Sequence, residues 1–199
     1  MTPAFMQASD RLEKAFNAVA YCQIKDKKKL LSLLEKVRFK VDKQSDKLSY
    51  DTVGRDITEI QESIEKSIRK CDQRKKLIPR VIPYPSSLPI SSKADEIRTL
   101  LSSNQTLIVA GDTGSGKTTQ LPKICLNAGF GVAGLIGHTQ PRRLAAISVA
   151  NRISEELSLG ESGGVAHQVR FADTSDHNSF LKLMTDGILL AEIANDPDL

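Results

Sequence analysis

The chain has 199 residues, 40% hydrophobic and 26% charged, with three cysteines, no tryptophan and a net charge of +4. That composition suits one globular domain with an appendage and excludes wholesale disorder. There is no run of about 18 apolar residues to cross a membrane, and the first thirty residues lack the apolar core and cleavage site of a secretory signal; the expectation is a cytoplasmic protein with no membrane partner.

Charge is distributed unevenly. Residues 1–80 hold 19 Lys+Arg against 12 Asp+Glu, whereas 81–199 hold 9 against 12, so the basic character belongs to the first segment. Cys22, Cys71 and Cys125 are widely spaced and form no C-x-x-C pair, which points to neither a disulfide framework nor a zinc site. His138, His167 and His177 lack metal-ligand spacing and read as structural or solvent-facing.

In chain order, apolar residues recur at helical spacing from Asp10 to Val41, with the charged cluster Lys25 to Lys29 as the interruption. Asp42 to Asp51 is polar and reads as a loop. Val53, Ile57, Ile60, Ile64 and Ile68 then alternate spacings of three and four, which draws an apolar stripe on a second helix. The two helical stretches are expected to pack on each other or on another domain. Pro79, Pro83, Pro85 and Pro89 break any helix, so residues 79–91 read as a linker laid along a surface, dividing a helical extension (1–78) from a second domain (92–199).

Ser92 with Asp95 three residues on is a helix-start signal, and Ala94, Ile97, Leu100 and Leu101 supply a buried face. Thr106 to Ala110 is a short β-rich run expected to form a strand buried on both faces. A helical pattern follows from Lys117 to Asn127, an apolar run at Val132 to Gly137, a helix from Arg143 to Leu157, and runs at Val165 to Phe171 and Phe180 to Met184. Strands alternating with helices predict an α/β domain with a parallel sheet.

Gly111-Asp112-Thr113-Gly114-Ser115-Gly116-Lys117-Thr118 fits the phosphate-binding pattern G-x-x-x-x-G-K-[ST] at every fixed position, between a predicted strand and a predicted helix. By chance, a chain this long matches on the order of 1% of the time. Glycines let the backbone turn its N–H groups inward around a phosphate, and the helix that follows offers its unpaired first amides to the same anion. Lys117 is expected to reach the β and γ phosphates of ATP, and the Thr118 hydroxyl to ligate Mg²⁺; these two are the candidate catalytic residues.

His138-Thr139-Gln140-Pro141-Arg142-Arg143-Leu144-Ala145-Ala146 resembles motif Ia of the DEAH-box RNA helicases, T-Q-P-R-R-x-A-A, and Thr185-Asp186-Gly187-Ile188-Leu189-Leu190 resembles their motif Ib. Thr119-Gln120-Leu121-Pro122-Lys123, the linker Tyr84-Pro85-x-x-Leu88-Pro89 and the strand Val169-Arg170-Phe171 agree as well, so the resemblance spans 84–195, especially to bacterial members. One departure is Ala166-His167, where the family usually has Gly-Tyr.

The resemblance implies a partial RecA-like P-loop domain over 92–199, behind the helical extension, ending before the family's D-E-A-H box. It implies an ATP-dependent RNA helicase moving 3′ to 5′ along single-stranded RNA held by its backbone, whose remaining helicase core is a necessary partner. Residues Gly111 to Thr119 would hold the nucleotide; Gln140, Pro141, Arg142, Arg143, Thr185, Asp186 and Gly187 would hold RNA. Guanidinium forks and a threonine hydroxyl following strand runs suit sugar-phosphate contact independently of the resemblance. By motif position Arg152 corresponds to the arginine that stacks on adenine; an ion pair to Glu155 or Glu156 is the other reading, and both stay open. Without a second acidic motif the chain is expected to bind nucleotide weakly and hydrolyse none.

Two other functions stand beside this one. The basic helical segment, with Lys25, Lys27, Lys28, Lys29 and Arg74 to Lys76, would serve as a non-enzymatic module binding RNA, ribosome or protein. Alternatively, the phosphate loop would belong to an ATPase acting on DNA or protein.

Overall fold

A computed structural model describes residues 3–43, 50–160 and 163–196. The chain divides into two compact units, 1–72 and 73–199.

The first unit is helical. Helix α1 (Pro3–Val19), α2 (Ile24–Lys43) and most of α3 (Tyr50–Leu77) bury a common core. The predicted stripe is the buried face of α3: Val53, Ile57, Ile60 and Ile64 meet Leu12, Val19, Leu30, Leu34 and Val37 from the other two helices. Each such side chain taken from water contributes roughly 1.5–3 kcal/mol. The interruption falls elsewhere than expected. Lys25 to Lys29 lie within α2, and the break is at residues 20–23, where the Cys22 amide donates to Val19 O (3.1 Å). A lysine run does not end a helix; here the chain turns where Cys22 and Gln23 are drawn inward, the Gln23 amide donating to Ser67 Oγ (2.9 Å) and Ser67 Oγ to Asp26 Oδ2 (2.6 Å). Most of the expected loop at Asp42 to Asp51 lies outside the described residues.

The second unit is an α/β layer. Strands β1 (Ile136–Gln140), β2 (Val165–Val169), β3 (Ala172–Asp173) and β4 (Leu181–Thr185) form one sheet in the order β1-β4-β2-β3. The pairs β1–β4 and β4–β2 are parallel; β3, absent from the sequence reading, folds back antiparallel on β2. A two-residue strand has too few side chains to show an alternating pattern. Helix α6 (Arg143–Glu156) lays Ala146, Ala150 and Ile153, with Leu157 just past its end, on Leu181, Leu183 and Phe180. Gly164 carries the bend into β2 at φ +99°, and a Cβ there would stand 2.3 Å from Phe180 Cε1, so no larger residue fits.

The linker is docked on this unit. Ile78 and Ile82 pack against the sheet's core, and Tyr84 and Leu88 against a second cluster formed by Ile90, Ala94, Ile97 and Ile124. A 3₁₀ turn (Pro89–Lys93) then leads into α4 (Ala94–Ser103). Ser92 does not cap α4: its hydroxyl donates to Pro89 O (2.9 Å), because the preceding turn puts that carbonyl within reach. Thr106 to Ala110 is the clearest correction. It pairs with no described strand, and Ile108 is 90% exposed. Leu107 and Val109 face the Ile97 cluster while Thr106, Ile108 and Ala110 face out, so the run keeps a two-residue period but lacks a neighbour to complete a ladder.

Candidate functional site

After Ala110 the chain bends through Gly111 to Gly116 and enters α5 (Lys117–Asn127). The Ser115 amide donates to Asp112 O (3.3 Å), closing a turn, and Gly114 and Gly116 take φ of +82° and +92°. Gly116 is the N-cap and bears no capping side chain, so the first amides of α5 have neither a carbonyl behind them nor a hydroxyl in front. A Cβ at Gly116 would meet Leu88 Cδ1 at 3.0 Å and Ile90 Cγ2 at 3.1 Å, and the Ile90 amide donates to Ser115 O (3.2 Å). The linker thus packs directly against the bend.

Lys117 folds back over the loop. Its Nζ donates to Gly111 O (2.6 Å), Asp112 O (2.7 Å) and Ser115 Oγ (3.1 Å). One positive charge and the free amide end of a helix therefore converge on a concave bend beside a pocket of about 530 Å³, walled by Ile90, Ile97 and Val109. A helix N-terminus and a lysine that converge in this way can accept an anion such as a phosphate group. Thr118 is exposed in the first turn, its hydroxyl on the helix end that a hard cation bound to phosphate would approach; Thr119 Oγ1 donates to Gly116 O (3.4 Å) instead.

The second set of predicted residues gathers at one end of the sheet. Gln140, last in β1, is the register partner of Thr185, last in β4. Pro141 and Arg142 follow Gln140 and lead into α6 (Arg143–Glu156); Asp186 and Gly187 open α7 (Asp186–Asn195). Arg142, Arg143, Asp186 and Gly187 are exposed. Carboxyl ends of adjacent parallel strands form the crevice edge where ligands of open α/β sheets sit. Gln140 Nε2 also meets His138 Nε2; burial holds the His138 imidazole below its ordinary range, which favours the neutral, accepting form.

The β2–β3 turn ends at the same edge and corrects the expected strand Val169-Arg170-Phe171: β2 stops at Val169, and Arg170 and Phe171 form the turn. Phe171 is 90% exposed at φ +71°, and the Arg170 guanidinium lies 4.9 Å from its ring centre. A bulky residue in the left-handed region is strained, and only the hairpin reveals it.

Two buried lysines were also missed. Lys123 in α5 is fully buried: Nζ donates to Glu156 Oε2 (2.8 Å) and Gln120 Oε1 (2.9 Å) and lies 5.4 Å from the Tyr84 ring. Lys182 in β4 sits between Gly137 and Ala166 in register, small neighbours that leave room for its stem, and pairs with Gln168 and Glu192. A lysine inside the apolar run Phe180 to Met184 was the available signal. Burial raises the Glu156 carboxyl, yet hydrogen bonds from Lys123, Gln120 and Arg152 outweigh it and hold the group below the usual glutamate value. Arg152 makes the ion pair that the sequence left open, Nε to Glu156 Oε1 at 2.8 Å, with Glu155 4.0 Å from its outer nitrogen.

The cysteines are free, no group of His, Cys, Asp and Glu suited to a metal occurs among the described residues, and no described helix is long and apolar enough to cross a membrane.

No protein-family model matches the chain. It is similar to the ATP-dependent RNA helicase HrpA homolog of Haemophilus influenzae, 56% identical over 138 residues, which cover 69% of this chain and 11% of that protein. It is also similar to ATP-dependent RNA helicase HrpA of Escherichia coli, 59% identical over 115 residues, or 58% of this chain and 9% of that protein. The crystal structure of the Escherichia coli DEAH/RHA helicase HrpB aligns with a TM-score of 0.50 at 34% identity, over 57% of this chain and 14% of that one. The matched stretch spans about a tenth of the length of the curated relatives.

Proposed function

This chain belongs to the DEAH-box RNA helicase family, and on that premise we propose that it forms the nucleotide-binding part of an ATP-driven RNA helicase. In this reading 1–78 is a basic helical extension, 79–91 a linker and 92–199 the first part of a RecA-like domain that works with the rest of a helicase core in the cytoplasm. The observation that carries it is the bend before α5, where Gly116 exposes the helix's first amides and Lys117 lies across the same concavity.

Residues Gly111 to Thr119 hold the phosphates of ATP. On binding, Lys117 exchanges Gly111 O, Asp112 O and Ser115 Oγ for phosphate oxygens, and the helix amides supply the remaining donors without rearranging. Thr118 would ligate Mg²⁺, which would supply positive charge to offset that of the phosphates. Arg152 presents a planar cation to the base. At the sheet edge, Gln140 to Arg143 and Thr185 to Gly187 grip the RNA backbone; the exposed Arg170 and Phe171 at the same edge extend that surface with a ring on which a base can stack.

The test is calorimetry of Mg·ADP binding. Lys117→Ala is expected to weaken binding about tenfold to a hundredfold, the worth of a charge-assisted contact. Equal affinity in the variant would refute the phosphate site. ATP turnover by the chain alone, sensitive to the same substitution, would contradict the expectation that it binds without hydrolysing.

A further inference from the structure

We propose that Glu156 is a positioning residue that sets the base end of the nucleotide site by fixing the plane of Arg152; the proposal rests on the nucleotide reading above and deepens it. Glu156 ends α6, and its side chain is only 11% exposed. Three donors from two helices converge on its carboxylate. Oε1 accepts from Arg152 Nε at 2.8 Å, and Oε2 accepts from Lys123 Nζ at 2.8 Å and Gln120 Nε2 at 2.9 Å.

The geometry of that sharing matters. A guanidinium is a rigid plane, and Nε is its donor nearest the main chain, so bonding Nε to a held acceptor fixes the orientation of the whole fork. The outer nitrogens are held only loosely: Nη1 is 4.0 Å from Glu155 Oε2, an ion pair too long for a hydrogen bond, and the Arg152 side chain is 60% exposed. A solvent-facing planar cation whose rotamer is already fixed can stack on a base with little further loss of freedom.

The carboxylate itself is held from the other side. Gln120 and Lys123 belong to α5, the helix whose first two residues are Lys117 and Thr118. Lys123, with no exposure, has Glu156 as its counter-charge and cannot be released without leaving a buried ammonium unpaired. The base-facing arginine and the phosphate-facing lysine are therefore registered to each other through one acidic side chain.

A purely structural role, in which Glu156 only neutralises Lys123, makes a different prediction. The experiment compares affinities of the chain for Mg·ADP and for magnesium pyrophosphate, the latter lacking a base, in wild type, Arg152→Ala, Lys123→Met and Lys123→Met/Glu156→Leu. The double variant removes both buried charges together, so neither is stranded, and takes away the acceptor for Nε; Gln120 Nε2 keeps its bond to Thr119 Oγ1 (2.9 Å). The ratio of ADP to pyrophosphate affinity is expected to fall about fivefold in Arg152→Ala and equally in the double variant, with pyrophosphate affinity unchanged. Adding Arg152→Ala to the double variant should lower the ratio no further, and Lys123→Met alone should retain it.

A wild-type ratio in the double variant alongside a lowered ratio in Arg152→Ala overturns the positioning role and leaves the nucleotide site standing. A wild-type ratio in Arg152→Ala overturns the base contact and the proposal with it. If wild type binds neither ligand, the phosphate site itself is refuted, and the proposal falls for that reason.

Discussion

In the helical unit two ion pairs stand in water, Lys14 with Asp10 and Arg69 with Glu65, every one of the four more than half exposed, while Leu34 and Ile57 are wholly buried. In the α/β unit Lys123 and Lys182 are drawn inside and each is met by a carboxylate and an amide. Exposed pairs contribute little, so the first unit rests on its apolar stripe. Buried pairs are costly to break, so the second has charge built into its framework, in one case from α5 itself.

The strongest challenge to that contrast is Glu156→Ala, which strands the Lys123 ammonium. The expected loss is about 3–5 kcal/mol in the α/β unit. Hydrogen exchange should show protection falling across α5 and α6 while α1 and α2 keep theirs; a loss below about 1 kcal/mol, the level of an exposed pair, would erase the distinction.

Next in size is Leu34→Ala, in the other unit. Truncating a wholly buried leucine is expected to cost about 3 kcal/mol, read by denaturant unfolding followed at the helical unit's amides. An effect within about 0.5 kcal/mol, as for a surface site, would mean that the stripe does not hold that unit.

The smallest expected effect is with pH. Glu156 titrates below its ordinary 4.5 in the folded chain, so on acidification the unfolded chain takes up the proton first. Its contribution is fully present above about pH 4.5 and is lost as pH falls through the folded value. Part of the acid loss should therefore vanish in Lys123→Met/Glu156→Leu. What persists includes Asp173, whose carboxyl burial raises but the Ser175 hydroxyl and amide draw lower overall. Identical acid profiles in wild type and double variant would deny Glu156 this role.

Much of the site was legible because its chemistry is local. The glycine bend, Lys117 and the start of α5 are contiguous, so spacing alone singled them out; Gln140 to Arg143 and Thr185 to Gly187 were singled out by their resemblance to family motifs, and each begins on the last residue of its own strand. The helical stripe was legible for the same reason: Val53 to Ile64 repeat at the helix period whatever they pack against.

Other features depended on partners distant in sequence. Thr106 to Ala110 has the composition of a buried strand, but a ladder needs a neighbour, and composition cannot say whether one is there. Lys123 and Glu156 lie 33 residues apart, and only the packing of α5 on α6 makes them one group. Sequence by itself determined where the glycine bend falls and which face of α3 is apolar, since those follow from residue type and period. Tertiary structure decided which charges are buried and what they hold, because burial and pairing are properties of two segments brought together.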